Sequence, residues 1–139
     1  MSGLATGLDL VEVARFDRLL ERTPDFALRY FTAAERARCA ASARPAQEFA
    51  LRFAVKEALL KAAGLGLGMQ PAHIPTGRFG QRAGLWQGPL GTFGWRSIAC
   101  SGHWLCVALA GHVPPMQMTV LRQSPHVLLR RLADVPPQS

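Results

Sequence analysis

The sequence predicts an α+β fold in which an antiparallel sheet packs against one long central helix. Three observations point there. A helical pattern runs without a break from Pro45 to Ala63. Three β-type runs follow it, Arg96–Cys100, Leu105–Ala110 and Gln117–Arg122, separated only by Ser101-Gly102 and by Gly111 to Pro115. Helices come first and strands later, which is the order of a segregated α+β fold. The length of 139 residues suits one domain, and 49% hydrophobic against 18% charged residues allows a packed core. The domain is read as 1–122. Residues 123–139 read as a basic tail, with one apolar turn, Val127 to Leu132, before Pro136-Pro137.

Leu4 to Val11 alternates loosely and reads as a short strand with Asp9 near its end. Val13 to Arg22 reads as a helix. Val13, Phe16, Leu19 and Leu20 form its apolar face, and Arg15, Arg18 and Arg22 recur at i, i+3, i+7 on another. Thr23-Pro24 closes it, and a short helical stretch runs to Tyr30. Thr32 to Glu35 has the capping-box pattern, in which hydroxyl and carboxylate satisfy each other's free N–H groups. Pro45 suits the first turn of the long helix and Gly64 its end. Phe49, Phe53 and Leu60 are its expected buried stripe. Glu57 falls about 40° from Phe53 at 3.6 residues per turn, on the stripe's edge. Lys61 follows Glu57 by four, on the same flank. Residues 64–95 are rich in Gly and Pro, and 78–95 read as loop and irregular strand.

No apolar run approaches the roughly 20 residues of a membrane helix. Met1 to Val13 has no basic region and carries Asp9 and Glu12, unlike a secretory signal. Cys39, Cys100 and Cys106 form an odd set without CxxC spacing. They argue against a disulfide framework or a four-ligand zinc site and fit a reducing cytoplasm.

The net charge of +7 is unevenly placed. Residues 1–57 hold nine basic and eight acidic side chains, whereas 58–133 hold seven basic and no acidic ones. Such a stretch suits an anionic partner, or reflects a genome that favours arginine. A nucleic-acid partner is not expected: Tyr30 is the only tyrosine, and no known binding motif appears.

Two lysines stand against fourteen arginines, and both, Lys56 and Lys61, flank Glu57. An ammonium is a compact charge that also transfers a proton, which guanidinium does poorly. Asp9 lies on an apolar strand and Glu57 beside a helix stripe. Carboxylates beside a core are usually paired or bound to metal. Two of them with lysines alongside would make an oxygen-lined Mg2+ site that takes waters and a substrate phosphate. The plainer alternative pairs Glu57 with Lys61 on a solvated face and leaves Asp9 capping a helix.

Three segments together resemble the holo-acyl-carrier-protein synthase family, the small 4'-phosphopantetheinyl transferases. They are Gly7-Leu8-Asp9-Leu10-Val11-Glu12-Val13, Phe31-Thr32-Ala33-Ala34-Glu35, and Arg52 to Gly64 with its pattern RF-x-x-KE-x-x-x-KA-x-G. The resemblance covers roughly residues 4–68. It implies the fold of these transferases and transfer of 4'-phosphopantetheine from coenzyme A to a serine of apo-acyl carrier protein. It makes Asp9 and Glu57 the expected Mg2+ ligands, with Lys61 beside the β-phosphate as the third catalytic group. Arg52, Lys56, Lys61 and Gly64 are the expected coenzyme A contacts. Arg15, with Arg18 and Arg22 on the same face, is expected to dock the acidic carrier protein. The resemblance also implies a cytoplasmic homotrimer, of a fatty-acid or polyketide pathway.

The second half departs from the family pattern. A Ser-h-Ser-His strand (h, hydrophobic) is expected, and the best match is Ser97-Ile98-Ala99-Cys100. His103, three residues on, would need a register shift to stand in for the histidine. The helix expected between Gly64 and Ser97 is not found. These departures favour a second reading, a non-catalytic module that binds carrier protein or coenzyme A. Intact Asp9, Glu57 and Lys61 oppose it.

Overall fold

The computed structural model describes residues 5–65, 71–74, 76 and 81–111. Strand β1 (Thr6–Glu12) leads directly into helices α1 (Val13–Arg22), α2 (Pro24–Tyr30), α3 (Ala33–Ala40) and α4 (Pro45–Ala62). One 3₁₀ turn, Pro71–His73, precedes β2 (Ala83–Gly88), β3 (Gly91–Cys100) and β4 (His103–Ala110). The four strands form an antiparallel sheet in the order β1-β4-β3-β2. The α+β expectation holds, with the helices gathered on one face of the sheet. The read strand Gln117–Arg122 and the tail 123–139 lie outside the described residues.

Local chemistry accounts for the helix ends. Thr32 Oγ1 accepts from Glu35 N–H at 3.1 Å, and Glu35 Oε2 accepts from Thr32 N–H at 2.9 Å, completing the capping box. Helix α4 ends where Gly64 takes φ 65°. Leu65 N–H then donates to Leu60 O and Gly64 N–H to Lys61 O, the crossed pair of a Schellman end.

Two expectations need correction. Helix α4 is not buried along a single stripe. Ala50, Leu51, Ala54, Val55, Ala58, Leu59, Leu60 and Ala62 are all buried, because the helix lies between the sheet and the other helices. Phe49 and Phe53 are only half-buried. Phe53 joins Phe16, Phe26 and Tyr30 in an aromatic cluster under α1 and α2. Second, much of the stretch read as loop is a regular hairpin, β2 with β3. Its glycines are required by indoles: a Cβ on Gly84 would stand 2.8 Å from Trp95 Nε1, and one on Gly88 2.8 Å from the Trp86 ring. The glycines that weaken the strand signal are the ones that make room for its tryptophans.

The sheet face away from the helices carries many apolar side chains, with Arg96 in register among them. Leu8 and Leu10 are 57% and 63% exposed, and Leu85 is 58% exposed on the same face. Ile98, Leu105, Val107 and Leu109 lie between them in register and are half-buried.

Candidate active site

The site begins with a glycine. A Cβ on Gly7 would sit 2.0 Å from Ala58 O and 2.6 Å from Ala62 N, so only glycine lets β1 lie this close to the backbone of α4. Alanines at 58 and 62 complete the close approach. As a result Asp9, two residues on, faces the α4 flank that carries Glu57 and Lys61.

Lys61 Nζ donates to Asp9 Oδ1 at 2.8 Å and to Leu8 O at 3.1 Å. The ammonium is half-exposed, while the Asp9 side chain keeps 13% of its surface. The other oxygen, Asp9 Oδ2, is buried without a hydrogen-bond partner among the described residues. Burial pushes the Glu57 carboxyl above the usual carboxylate range, and the Asp9 charge pushes it further; Lys61 opposes both. Behind Asp9 lies its ladder partner Cys106, whose thiol is pushed up to about 12 by burial and then by the Asp9 charge. Cys39 is pushed up to about 11, chiefly by burial. Both thiols stay protonated at neutral pH and are poor nucleophiles.

An orphaned carboxylate oxygen and a second, repelled carboxylate fit a divalent cation. No group of three or more His, Cys, Asp or Glu side chains able to hold a metal occurs among the described residues. Two carboxylates alone suit Mg2+, which keeps several waters and takes substrate oxygens. The plainer pairing of Glu57 with Lys61 is not what forms: Lys61 pairs with Asp9.

A cleft of about 740 Å³ runs along β1 and α1 from this point. Asp9, Glu12, Arg15, Arg18, Arg22 and His103 line it, over a floor that includes Phe16 and Phe53. The three arginines and Asp9 therefore share one continuous surface.

Lys56 is not brought to this site. It is fully buried, and its Nζ bonds Glu35 Oε2 and Tyr30 O, each at 2.8 Å. Its expected contact with a phosphate is corrected to an internal role. Burial pulls its ammonium below the usual lysine range, with Glu35 opposing. Arg52 is likewise buried and donates to Thr76 Oγ1 at 2.6 Å, and Thr76 donates to Glu35 Oε1 at 3.0 Å. Gly64 serves the end of α4.

Sequence reasoning missed the Leu8 carbonyl and the electrostatic link between Tyr30 and Glu57. The Tyr30 phenol is pushed up by burial and then by the Glu57 charge, against Arg29. The Leu8 carbonyl holds Lys61, and a backbone acceptor leaves no mark in a sequence. His103, expected to need a register shift to stand in for the histidine, lies directly across the β3–β4 ladder from Cys100.

Two carboxylates, a half-exposed ammonium and a cation-lined cleft thus stand on an α+β frame. Residues 5–106 match the family model of the 4'-phosphopantetheinyl transferase superfamily, and the chain belongs to that family. It is 48% identical over 65 residues to the holo-[acyl-carrier-protein] synthase of Moorella thermoacetica, covering 47% of this chain and 51% of that one. It is 54% identical over 63 residues to the Geobacter metallireducens holo-[acyl-carrier-protein] synthase, covering 45% and 50%. The chain thus spans about half the length of the curated relatives it matches. Among solved structures, the holo-[acyl-carrier-protein] synthase of Neisseria meningitidis superposes with a TM-score of 0.64 at 24% identity, over 78% of this chain and 98% of that one. The Helicobacter pylori holo-[acyl-carrier-protein] synthase in complex with coenzyme A gives 0.62 at 21% identity, over 76% and 99%. These two likenesses establish the fold. Among the described residues no helix is long and apolar enough to cross a membrane.

Proposed function

We propose that this protein is a holo-acyl-carrier-protein synthase. It transfers 4'-phosphopantetheine from coenzyme A to a serine of apo-acyl carrier protein, releases adenosine 3',5'-bisphosphate and depends on Mg2+. The observation that carries the reading is the convergence of Glu57 and Lys61 on Asp9, which itself lines the arginine-bearing cleft. Asp9 and Glu57 would hold the metal. When bound, Mg2+ neutralises charge on the pyrophosphate of the donor. Lys61, which donates to Asp9, would stabilise or protonate the leaving phosphate with its ammonium. Arg15, Arg18 and Arg22 receive the acidic carrier protein, and their charges mainly speed encounter and set register.

The apolar side chains on the outer face of the sheet support self-association, and a cytoplasmic homotrimer serving fatty-acid or polyketide synthesis is the proposed setting. The test is intact-mass measurement of an apo-acyl carrier protein mixed with the purified protein and coenzyme A, with Mg2+ or with EDTA. The expected result is a gain of one phosphopantetheine arm, with metal only. No gain on several carrier proteins, from folded protein that still binds coenzyme A, would instead support a binding module without turnover.

A further inference from the structure

His103 opens β4 at the end of the cleft away from the metal-type carboxylates. The hairpin turn before it puts Ser101 at φ 46° and Gly102 at φ 74°. That turn brings the Ser101 carbonyl to 2.8 Å from His103 Nδ1. A carbonyl oxygen only accepts, so Nδ1 carries the hydrogen in this contact. In that tautomer Nε2 is the lone-pair acceptor, and the contact with the turn fixes the ring's orientation.

Position decides what this acceptor meets. Glu12 stands across the β1–β4 ladder from His103 and Cys100 across the β3–β4 ladder. From α1, Arg15 lines the same cleft, and Asp17 lines a smaller hollow of about 350 Å³ that His103 also lines. Asp9 is three ladder positions back along β1, about 10 Å at 3.4 Å per residue. His103 thus lies well along the sheet from Asp9, on the cleft lining that it shares with Arg15.

We infer that His103 is a contact residue for the macromolecular substrate: its Nε2 accepts a hydrogen bond from the docked carrier protein and sets how the acceptor serine enters the cleft. This rests on the transferase reading. It goes beyond charge pairing, because a neutral directional acceptor fixes orientation where arginines supply attraction.

Two variants separate contact from scaffolding. His103→Asn keeps an N–H able to donate to Ser101 O and removes Nε2. His103→Gln places an amide oxygen near the Nε2 position. Binding of fluorescently labelled apo-acyl carrier protein is read by anisotropy without coenzyme A, beside KM for carrier and for coenzyme A in the transfer assay. His103→Asn is expected to weaken carrier binding and raise carrier KM about three- to tenfold, the worth of one hydrogen bond. KM for coenzyme A and the melting temperature stay unchanged, and His103→Gln recovers most of the loss. Carrier binding by His103→Asn equal to that of the unmodified protein, or an equal loss toward coenzyme A, would overturn the inference, as would no carrier binding by the unmodified protein. If the unmodified protein binds carrier yet transfers nothing, the transferase reading falls and the anisotropy series alone decides His103.

Discussion

Gly7→Ala tests how the site is assembled. The added Cβ would meet Ala58 O at 2.0 Å and Ala62 N at 2.6 Å, and both obstacles are backbone. Ordinary contact begins at 3.4 Å, so strand and helix must separate by about 1.4 Å. Overpacking of this kind costs about 1–3 kcal/mol, and the upper end applies where no side chain can swing aside. For a domain of this size that lowers the melting temperature by about 6–15 °C. The same separation stretches the 2.8 Å bond from Lys61 to Asp9 and draws Glu57 away from Asp9. A displacement of about 1 Å at reacting groups costs about a hundredfold in turnover. The assay pairs thermal unfolding by circular dichroism with the phosphopantetheine-transfer rate, and exposed Thr6→Ala on the same strand serves as control. A Gly7→Ala protein that melts within about 2 °C of the unmodified one and keeps its rate would refute the tight seam.

Glu57→Gln is expected to abolish Mg2+-dependent transfer and leave the far-ultraviolet spectrum unchanged; unaltered turnover at saturating Mg2+ would remove Glu57 from the site. Because the Glu57 carboxyl is raised in the folded protein, its stabilising contribution is full below the unfolded value and lost as pH rises through the folded one. In metal-free buffer Glu57→Gln should therefore match the unmodified protein's melting temperature in acid and exceed it near neutrality. Lys56→Met strips the buried Glu35 of its ammonium partner and should cost about 3–5 kcal/mol by urea unfolding; a loss below 1 kcal/mol would show that Thr32 and Thr76 suffice for Glu35. Arg15→Glu should raise KM for carrier protein about tenfold at low salt and leave KM for coenzyme A unchanged; equal shifts in both would remove Arg15 from docking.

The helical half was legible in the sequence because local signals there agree with tertiary structure. Val13 to Arg22 carries its amphipathic pattern in full, and Thr32 with Glu35 is a purely local device. The expected site positions Asp9, Glu57 and Lys61 stood out for a physical reason, charge placed beside apolar sequence. Lys56 misled because two lysines flanking one glutamate look alike until the helix is placed: Lys61 points to β1, Lys56 into the core toward α3. The β2–β3 hairpin was hidden because Gly84 and Gly88 read as loop until the tryptophans they accommodate are in place. His103 was judged by distance along the chain, whereas a two-residue turn makes positions 100 and 103 direct neighbours.

Among the described residues strand β1 has one strand neighbour in the sheet, β4, and the two are about a hundred positions apart in sequence. Asp9 therefore acquires its place only after nearly the whole described chain exists. A chain emerging from the ribosome can form α4, with Glu57 and Lys61 in position, long before β4 arrives to hold the aspartate against them. Long-range pairing of this kind is a late event in folding. Chemistry at this site thus begins with completion of the sheet, and a product that stops short of Trp104 carries two of the three groups without the strand that holds the third in place.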